Sequence, residues 1–487
     1  MSEIRKALLH SILNSYSLKV LAIASSVIVA RLLTPSEVGT YAIASSLIVW
    51  LSEIKLMGAN LYIIREKNID TNKIRSSLGV SIILSWLIGF ILFFSSTIIA
   101  DFFANRDVGN IIKILAATFI LSPYTSVYQA LLTRKLKFNI LLRINIASSI
   151  ISITITILLI LYGFSFYSLA LGFLSREIIY FFGIRFNTHK GTPVIPNFHN
   201  SSKIIKLGLY SSTSGLLRKA QFTFPDLLIG RFGTTAQVGI FSKGLGFVEF
   251  VNEAVSSGTT PISLPYLSKN NQSPAAMELA YRKASVFSTA LIWPVLAVVS
   301  VFAKPAIIVL FGNQWIEAAP LAAIIAISVI IKEAHLYSNQ YIVASSKEHF
   351  LIIKDALIFL AFIISLVLYF RYSLIGLAYS YLLTSLFSLM ITTLILKMAT
   401  NFSAKIFIKS IIPSLNLTII CLIFSEILKR AIDHFSLNPY LTISIVALIM
   451  PIFWLSAATL TRHAISHEIK DIINKIMSKF KKQKDKN

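Results

Sequence analysis

The chain has 487 residues, of which 55% are hydrophobic and only 14% are charged, and its formal net charge is +24. About a quarter of the residues of a soluble domain are charged, so this composition excludes an ordinary soluble protein and indicates an integral membrane protein. A strongly basic chain could also bind nucleic acid, but the positions of its Lys and Arg residues follow membrane topology, so no nucleic-acid partner is expected.

Fourteen apolar segments are predicted to cross the bilayer as helices, because each has the roughly 20 residues that span about 30 Å of hydrocarbon. They are too long and too continuously apolar to be the strands of a barrel. The fold class predicted is therefore all-α and membrane-embedded. In chain order the segments are 9–33, 38–62, 76–100, 112–133, 141–162, 165–186, 207–230, 238–262, 284–303, 318–344, 351–370, 374–396, 407–428 and 441–461.

The first segment is interpreted as a span and not as a cleavable signal. Arg5 and Lys6 precede it, but the apolar run continues to Arg31 without a small-residue cleavage pattern. The single cysteine, Cys421, lies inside a predicted span, so an intramolecular disulfide is excluded and the cysteine count does not indicate a redox compartment.

The distribution of Lys and Arg predicts the orientation in the membrane. If the N-terminus is cytoplasmic, the inner connections and tails hold 30 of the 45 basic residues and the outer connections hold 8. This asymmetry is the positive-inside pattern, and it predicts that both termini are cytoplasmic and that the number of spans is even. The basic tail is interpreted as a topology anchor or as a contact with anionic lipids.

An internal repeat with an offset of 200 residues predicts two related halves. Residues 29–41 read VARLLTPSEVGTY and residues 229–241 read IGRFGTTAQVGIF, and the register continues outward without a gap. A membrane protein with two like-oriented halves is usually a transporter whose site lies between them. The matching pairs are Lys19/Lys219, Arg31/Arg231, Thr34/Thr234, Val38/Val238, Gly39/Gly239, Glu53/Glu253 and Gly58/Gly258.

The repeat defines a predicted domain organisation. Because each half has six spans, both halves enter the membrane from the same side and form two parallel six-helix lobes. Two extra C-terminal helices have no counterpart in the repeat. The predicted boundaries are 1–188 for the N-lobe, 189–206 for a cytoplasmic linker, 207–397 for the C-lobe, 398–461 for the two extra spans and 462–487 for a basic cytoplasmic tail.

Charged residues at membrane depth are the candidates for function, since each costs at least about 2.5–3.5 kcal/mol on insertion scales and normally faces a cavity or a partner. Helical spacing groups them on polar faces that predict a central cavity rich in cations. The candidates for binding substrate are Lys19, Lys219, Arg218, Lys332, His335 and Trp50. The candidates for ion coupling or ion pairing are Glu53, Glu253, Asp226 and Glu249, and the outer-gate candidates are Arg31 and Arg231.

Each of these residues also has a structural interpretation. Lys19–Glu53 and Lys219–Glu253 could be ion pairs in the core, and Arg31 and Arg231 could be headgroup anchors. Trp50 could pack in the core, and His335 alone would be weak evidence of a site. A further set of charges could reach the membrane surface or pair locally, and it consists of Lys55, Arg176 and Glu177.

Enzyme chemistry has little support in the sequence. It contains no Gly-rich phosphate loop, no metal-spaced Cys/His cluster and no HExxH or GxSxG motif. The outer connections are short, and each holds at most two carboxylates. No catalytic residue, cofactor or metal site is therefore expected.

Three stretches resemble a known family of transporters. ARLLTPSEVGTYAIA at 30–44 resembles the first outer loop of oligosaccharide-lipid flippases, the polysaccharide branch of the multidrug/oligosaccharidyl-lipid/polysaccharide exporter (MOP) superfamily. QALLTRKLKFN at 129–139 and VLFGNQWIEAAPLAAI at 309–324 look like further signatures of that branch. The resemblance covers essentially the whole chain.

The resemblance implies a bacterial cytoplasmic (inner) membrane protein with two lobes that open alternately to the two sides. It implies a polyprenyl-pyrophosphate-linked oligosaccharide as cargo, flipped outward for O-antigen, lipopolysaccharide or exopolysaccharide assembly, and polysaccharide polymerase machinery as a partner. A flippase of lipid-linked peptidoglycan precursor and a drug antiporter of the same superfamily remain alternatives. The basic excess argues against the antiporter, which would favour an acidic cavity for cationic cargo. The duplicated buried charges argue against a membrane scaffold.

Overall fold

The computed structural model describes residues 3–55, 59–66, 68–188, 192–198, 201–370, 373–400, 402–466, 468 and 470. Within these ranges the chain folds into 18 α-helices and two short 3-10 turns, and no strand occurs there. The all-α fold predicted from the sequence is confirmed. Most of the predicted basic tail, and part of the linker predicted at 189–206, lie outside the described residues.

The chain divides into two compact units, residues 1–243 and 244–487. This boundary lies inside a helix that belongs to the second repeat, so the boundaries of the predicted lobes stay predictions. The helices of the first unit are α1 (Glu3–Leu32), α2 (Pro35–Lys55), α3 (Ala59–Arg65), α4 (Thr71–Phe102), α5 (Arg106–Ala116), α6 (Thr118–Arg134), α7 (Phe138–Leu161), α8 (Tyr167–Asn187), α9 (Ser202–Phe232) and the first part of α10 (Thr235–Ser256).

The second unit begins within α10 and contains eight further helices. A 3-10 turn at Asn313–Trp315 follows the longest helix, and a second one at Glu333–His335 interrupts a predicted span. The helices are α11 (Thr260–Lys269), α12 (Pro274–Phe311), α13 (Ala318–Lys332), α14 (Ser338–Ala344), α15 (His349–Tyr369), α16 (Leu374–Thr400), α17 (Ala404–His434) and α18 (Pro439–Leu460).

Each of the fourteen predicted segments coincides with a helix or with a pair of consecutive helices. Ten helical segments of the described chain are long and apolar enough to cross a bilayer, so the count of fourteen stays a prediction. Large apolar side chains on these helices face outward, among them Phe94 and Ile98 of α4, which are 75% and 72% exposed. In a bilayer such faces contact lipid and carry no penalty for exposure.

Three predicted segments are less continuous than the hydropathy indicates. Segment 112–133 is divided at Ala117, between α5 and α6, and there the Thr118 hydroxyl donates to the Leu115 carbonyl at 2.6 Å. Segment 238–262 is divided between two helices, because α10 ends at Ser256 and α11 begins at Thr260. Pro261 lies in the first turn of α11, where a helix does not need the N–H group that proline lacks. Segment 318–344 is interrupted at residues 333–335.

Close helix contacts define the interior of the first unit. α1 packs on α7, α7 packs on α8, and α2 packs on α9. The α7–α8 contact depends on Gly172, because a Cβ there would lie 1.8 Å from Thr156 Oγ1. Small residues let helix backbones approach in the membrane, where packing and not hydrophobic burial drives association.

In the second unit, α12 is the central helix and contacts α13, α17 and α18. The two extra C-terminal helices therefore pack against a helix of the preceding lobe. Phe424 and Phe453 stack at 3.7 Å between ring centres, and the Trp454 indole donates to the Ala290 carbonyl at 3.0 Å. A buried indole N–H needs a partner of this kind in an apolar layer.

The two copies of the repeated motif begin helices in the same way. Thr34 and Glu37 exchange backbone and side-chain hydrogen bonds at the start of α2, and Thr234 and Gln237 do the same at the start of α10. This S/T-x-x-E/Q arrangement is a capping box, which satisfies amide groups that a helix start leaves unpaired. The repeat in the sequence is therefore a repeat of local structure.

Candidate functional site

A cavity of about 570 Å³ lies among α1, α2, α7 and α8 in the first unit. Its walls combine apolar side chains with hydroxyl groups and two basic side chains. The lining residues are Ser15, Leu18, Lys19, Leu21, Ala22, Ser25, Tyr41, Ser149, Ser152, Ile153, Thr156, Leu169, Phe173 and Arg176. No carboxylate occurs among them, so the cavity is positively charged.

The two basic groups of the cavity come from different helices. Lys19 lies in the middle of α1, and Arg176 lies in the middle of α8. Within the described part of the chain, Arg176 has no carboxylate within ion-pair distance. An unpaired guanidinium at membrane depth is costly, and its position on a cavity wall is the arrangement expected of a ligand-binding group.

The hydroxyl groups of the cavity are supplied mainly by one face of α7. Ser149, Ser152 and Thr156 recur at spacings of three and four residues and therefore share a helix face. Ser152 donates to the Gly172 carbonyl at 2.7 Å, which fixes α7 against α8. No hydrogen bond of Ser149 or Tyr41 is found among the described residues, so both hydroxyls are available to a ligand.

This combination suits an anionic, hydroxyl-rich ligand. Guanidinium and ammonium groups recognise phosphate or carboxylate oxygens, and Arg does so with two parallel hydrogen bonds. Electrostatic attraction is several-fold stronger in the interior than in bulk water because the effective dielectric constant is lower. The Ser, Thr and Tyr hydroxyls can donate to or accept from sugar hydroxyls.

A buried carboxylate lies elsewhere in the first unit, on α9. The Asp226 side chain is 7% exposed and accepts hydrogen bonds of 2.7 Å from Ser46 of α2 and Ser242 of α10. Asp226 on α9 therefore connects α2 and α10 through these hydroxyl donors. Next in sequence to Ser242, Lys243 donates to the side chain and the backbone carbonyl of Ser26 on α1 at 3.0 and 3.3 Å.

Two predicted site residues of α2 pack against α9. The Trp50 indole donates to the Leu216 carbonyl at 3.2 Å, and its ring meets Phe224 edge-on at 5.1 Å. Glu53 lies beside Gly215, where an added Cβ would be 2.8 Å from a carboxylate oxygen. Glu53 forms no ion pair among the described residues. The Lys19–Glu53 ion pair, which was the structural interpretation of these two residues, is therefore not present there.

The other predicted residues of the first unit are more accessible. Arg218 and Lys219 are exposed on α9, and Arg218 donates to Ser214 one turn earlier. Arg31 is exposed at the end of α1. Arg231 donates to the Phe102 carbonyl, and its guanidinium lies 4.8 Å from the centre of the Phe102 ring, which is an anchoring contact. Binding and gating roles for these residues stay predictions.

In the second unit, Lys332 lies 3.6 Å from the Glu249 carboxylate, and its side chain is 51% exposed. His335 is buried between Tyr281 and Thr393, at 2.7 and 2.9 Å, and stacks on Phe407. These contacts satisfy both ring nitrogens, so they favour a packing role over direct binding. The carboxylate of Glu253 is exposed on α10.

Arg176 and Tyr41 line the cavity, although neither is among the site residues that the sequence predicts. Arg176 is followed by Glu177, which suggested a local ion pair, and Tyr41 is the last residue of the repeated motif at 29–41, which predicted a structural repeat. The signal that could have identified Arg176 is its position in the middle of a span whose neighbouring helix carries a face of small hydroxyl residues. Among the described residues, no group of three or more His, Cys, Asp or Glu side chains is arranged to hold a metal ion.

Comparison with known proteins decides the family. The family described as polysaccharide biosynthesis protein matches residues 28–320, which is more than half of the chain and includes Tyr41 and Arg176. The chain belongs to this family. It is thus a multi-pass membrane protein of polysaccharide biosynthesis, as the motifs at 30–44, 129–139 and 309–324 predict.

Relatives from two bacteria are similar over much of their length. The chain is 20% identical over 394 residues to the teichuronic acid biosynthesis protein TuaB of Bacillus subtilis, which covers 80% of this chain and 81% of that protein. It is 22% identical over 305 residues to the succinoglycan biosynthesis transport protein ExoT of Rhizobium meliloti, which covers 62% of this chain and 61% of that protein.

Solved structures show which fold the chain has. The lipid II flippase MurJ in an inward closed conformation superposes with a TM-score of 0.76 at 16% identity, covering 96% of this chain and 100% of that one. An inward-facing multidrug resistance MATE family transporter of the MOP superfamily gives 0.64 at 14% identity, covering 80% and 96%. The chain has the MOP transporter fold, and this expectation from the sequence is confirmed.

Proposed function

We propose that this protein flips a polyprenyl-pyrophosphate-linked oligosaccharide from the inner to the outer leaflet of the bacterial cytoplasmic membrane, by alternating access, for surface polysaccharide biosynthesis. Membership of the polysaccharide biosynthesis family supports the cargo class. The fold shared with MOP transporters supports movement by alternating access. The names of TuaB and ExoT connect relatives to teichuronic acid biosynthesis and to succinoglycan transport.

The observation that carries the proposal is the cationic cavity of the first unit. Lys19 and Arg176 are the only charged residues among those that line it, and hydroxyl groups surround them. A pyrophosphate is multiply anionic, and an oligosaccharide offers many hydroxyls. The cavity therefore matches the two chemical parts of the head group, while the polyprenyl chain can stay in lipid.

The direction of transport fits the electrostatics of a bacterial membrane. An inside-negative potential favours outward movement of negative charge by about 2.3 kcal/mol per charge for every 100 mV. The positive-inside distribution of Lys and Arg supports cytoplasmic termini for this orientation. Arg218 and Lys219 in the first unit, and separately Lys332 in the second unit, are proposed to make further cationic contacts with the cargo.

A second candidate function is the flipping of a lipid-linked peptidoglycan precursor. It is favoured by the likeness to the lipid II flippase MurJ, which covers 96% of this chain. That cargo also has a pyrophosphate head, so the cationic cavity suits it equally. A drug antiporter is disfavoured, since the cavity lacks the carboxylate that a cationic drug requires.

Complementation separates these candidates. The gene is expressed in one strain that lacks its flippase for surface polysaccharide and in another that lacks its peptidoglycan-precursor flippase. We expect surface polysaccharide to be restored in the first strain, measured by immunoblot of surface glycan. Growth of the second strain with no gain of surface polysaccharide in the first would overturn the proposal in favour of the second candidate.

Variants then connect the function to the cavity. Lys19→Gln and Arg176→Gln should be present in the membrane at the normal level and fail to restore surface polysaccharide. Lys113→Gln is the matched control, because Lys113 is an exposed basic residue of α5 that does not line the cavity. Equal activity of all three variants would remove the cavity from the proposal.

A further inference from the structure

A second cavity of the first unit, of about 190 Å³, lies where α6 ends, α7 begins and α8 ends. It shares no lining residue with the cavity of Lys19 and Arg176, and the proposed function does not use it. The lining residues are Leu131, Leu132, Lys135, Lys137, Asn187, Thr188 and Thr192. No carboxylate occurs among these residues, so the two lysines make the cavity positively charged. The charge distribution of the sequence predicts that these helix ends face the cytoplasm.

The backbone between α6 and α7 fixes the position of both lysines. The Lys137 amide donates to the Leu132 carbonyl at 3.0 Å, which closes the end of α6. Leu136, between the lysines, has a φ of 55°, in the left-handed region that commonly ends a helix. Lys135 and Lys137 therefore flank a tight turn, and α7 begins directly after it.

The positive charge of this cavity is not neutralised within the described part of the chain. Neither Lys135 nor Lys137 has a side-chain hydrogen bond or an ion pair there. The neighbouring Arg134, by contrast, donates to the carbonyls of Ile63 and Glu66. Lys137 is also the N-cap of α7, and no side chain caps that helix start. The positive end of the α7 dipole thus adds to the charge of the lysines and favours an anion.

Exposed apolar side chains lie beside the cavity residues in the sequence. Phe186 is 81% exposed, and Leu136 is 50% exposed. The others follow the last cavity residue and are Val194, Ile195 and Phe198. Basic groups next to exposed apolar side chains suit a phospholipid at the membrane surface, because the phosphate meets the lysines and the acyl chains meet the apolar groups. A soluble anion would gain nothing from the apolar groups.

We propose that this cavity binds the phosphate of an anionic glycerophospholipid from the inner leaflet. Its volume equals roughly six water molecules at about 30 Å³ each, which admits a phosphodiester head but not the oligosaccharide of the cargo. Lys135 and Lys137 contact the phosphate oxygens. Asn187 uses one amide hydrogen on the Gly183 carbonyl at 2.9 Å, and its second amide hydrogen donates to the head group.

A lipid in this cavity also contacts the segment that follows α8. Thr192 lines the cavity and belongs to this segment. A few residues later, the Asn197 amide donates to the Arg75 carbonyl at 3.0 Å, and Arg75 Nε donates to the Ile195 carbonyl at 3.1 Å. These bonds hold the segment on α4. The bound lipid should therefore stabilise the folded protein, since it connects the segment to the ends of α6 and α8.

Binding of phosphatidylglycerol to the delipidated full-length protein, measured by native mass spectrometry in detergent, tests the site. Wild type should retain phosphatidylglycerol at concentrations at which phosphatidylcholine is not retained, and its unfolding midpoint should rise with the anionic lipid only. The double variant Lys135→Gln/Lys137→Gln should bind phosphatidylglycerol on the order of tenfold more weakly, which corresponds to about 1.4 kcal/mol. Lys135→Arg/Lys137→Arg keeps both charges and should bind like wild type.

Lys405→Gln/Lys409→Gln is the matched control, because it removes two exposed lysines from α17 that do not line the cavity. It should bind phosphatidylglycerol like wild type. Equal binding by the two Gln double variants would overturn the site. Displacement of the lipid by millimolar inorganic phosphate, or by polyprenyl pyrophosphate at equal concentration, would overturn the lipid as its ligand. Unfolding midpoints without lipid should match wild type, since all four lysines are exposed. Lipid binding requires no flipping, so its failure is distinct from failure of the proposed function.

Discussion

The two copies of the repeated motif agree at their helix starts and differ at membrane depth. Thr34–Glu37 and Thr234–Gln237 form the same capping box. Lys19, however, lines a cavity with Arg176, whereas its counterpart Lys219 is exposed on α9. Local hydrogen bonding depends on neighbours in sequence and is shared by the copies. The surroundings of a charge depend on which helices pack beside it, and these differ.

Charge substitutions at the two copies should have unequal effects, and these are the largest effects expected. Arg176→Gln and Lys19→Gln each remove a charged hydrogen-bond donor worth about 1.5–3 kcal/mol, which is roughly a 10- to 100-fold loss of transport. Lys219→Gln should reduce transport less, since this side chain is exposed. Surface polysaccharide in the complementation assay, normalised to protein level, measures all three.

The conservative variants separate charge from packing. Arg176→Lys keeps the charge and loses the planar guanidinium, so it should retain part of the activity. Loss of protein level that parallels the loss of activity in the Gln variants would indicate a structural role for the two cations. An effect of Lys219→Gln larger than that of Lys19→Gln would reverse the comparison between the copies.

The glycines of the two motifs form the next test. Gly39 of α2 packs against the start of α10, and Gly239 of α10 packs against the start of α2. A Cβ on Gly39 would lie 1.7 Å from the Thr235 carbonyl oxygen. Backbone must move to admit it, so Gly39→Ala should destabilise the protein by about 1–3 kcal/mol, the usual cost of overpacking. Thermal unfolding in detergent measures the change.

Gly246→Ala on α10 is the control for this substitution. An added Cβ there meets no atom within 4 Å, and alanine is the better helix former. The unfolding midpoint of this variant should equal or slightly exceed that of wild type. A Gly39→Ala protein as stable as wild type would show that the two helix starts do not pack closely.

Exchange of the capping residues should have the smallest effect. Glu37→Gln places in the first copy the residue that the second copy has, so the box should persist and only the contribution of the Glu37 charge should be lost. Glu37→Ala removes the acceptor and should cost about 0.5–2 kcal/mol. The unfolding midpoints of the two variants, measured at neutral pH, give this difference. A cost for Gln equal to that for Ala would show that the charge of Glu37, and not its hydrogen bonds, holds the helix start.

The carboxyl group of Glu37 makes the stability of the protein depend on pH, whereas its counterpart Gln237 does not titrate. Burial opposes ionisation of Glu37, but hydrogen bonds from Ser165 and Thr34 outweigh burial and lower the pKa of this carboxyl. A lowered pKa in the folded state stabilises the protein above the ordinary Glu pKa, and this contribution disappears as pH falls through the folded-state pKa. Wild type should therefore lose stability in acid, and Glu37→Gln should lose less over the same range.

The sequence was sufficient for the parts of the fold that depend on local pattern. Apolar runs predict the helices, and the TPSE and TTAQ motifs predict two equivalent helix starts. The breaks at 117 and 333–335 were not predicted, because they depend on side-chain hydroxyls and on partners in other helices.

The site was predicted only where a charge stood out against apolar sequence. Lys19 was identified for that reason, and its partner Arg176 was not, because Glu177 beside it suggested a local pair. Which charges share a cavity is decided by the packing of α1, α7 and α8, which a single sequence does not encode in any local pattern.

The most direct test of the central claim is flipping by the purified protein. The protein is reconstituted in liposomes with a fluorescent polyprenyl-pyrophosphate oligosaccharide, and access of a membrane-impermeant quencher reports which leaflet holds the cargo. We predict that wild type accelerates flipping over protein-free liposomes, that Lys113→Gln does the same and that Arg176→Gln does not. Equal rates with wild type, with Arg176→Gln and without protein would contradict the account.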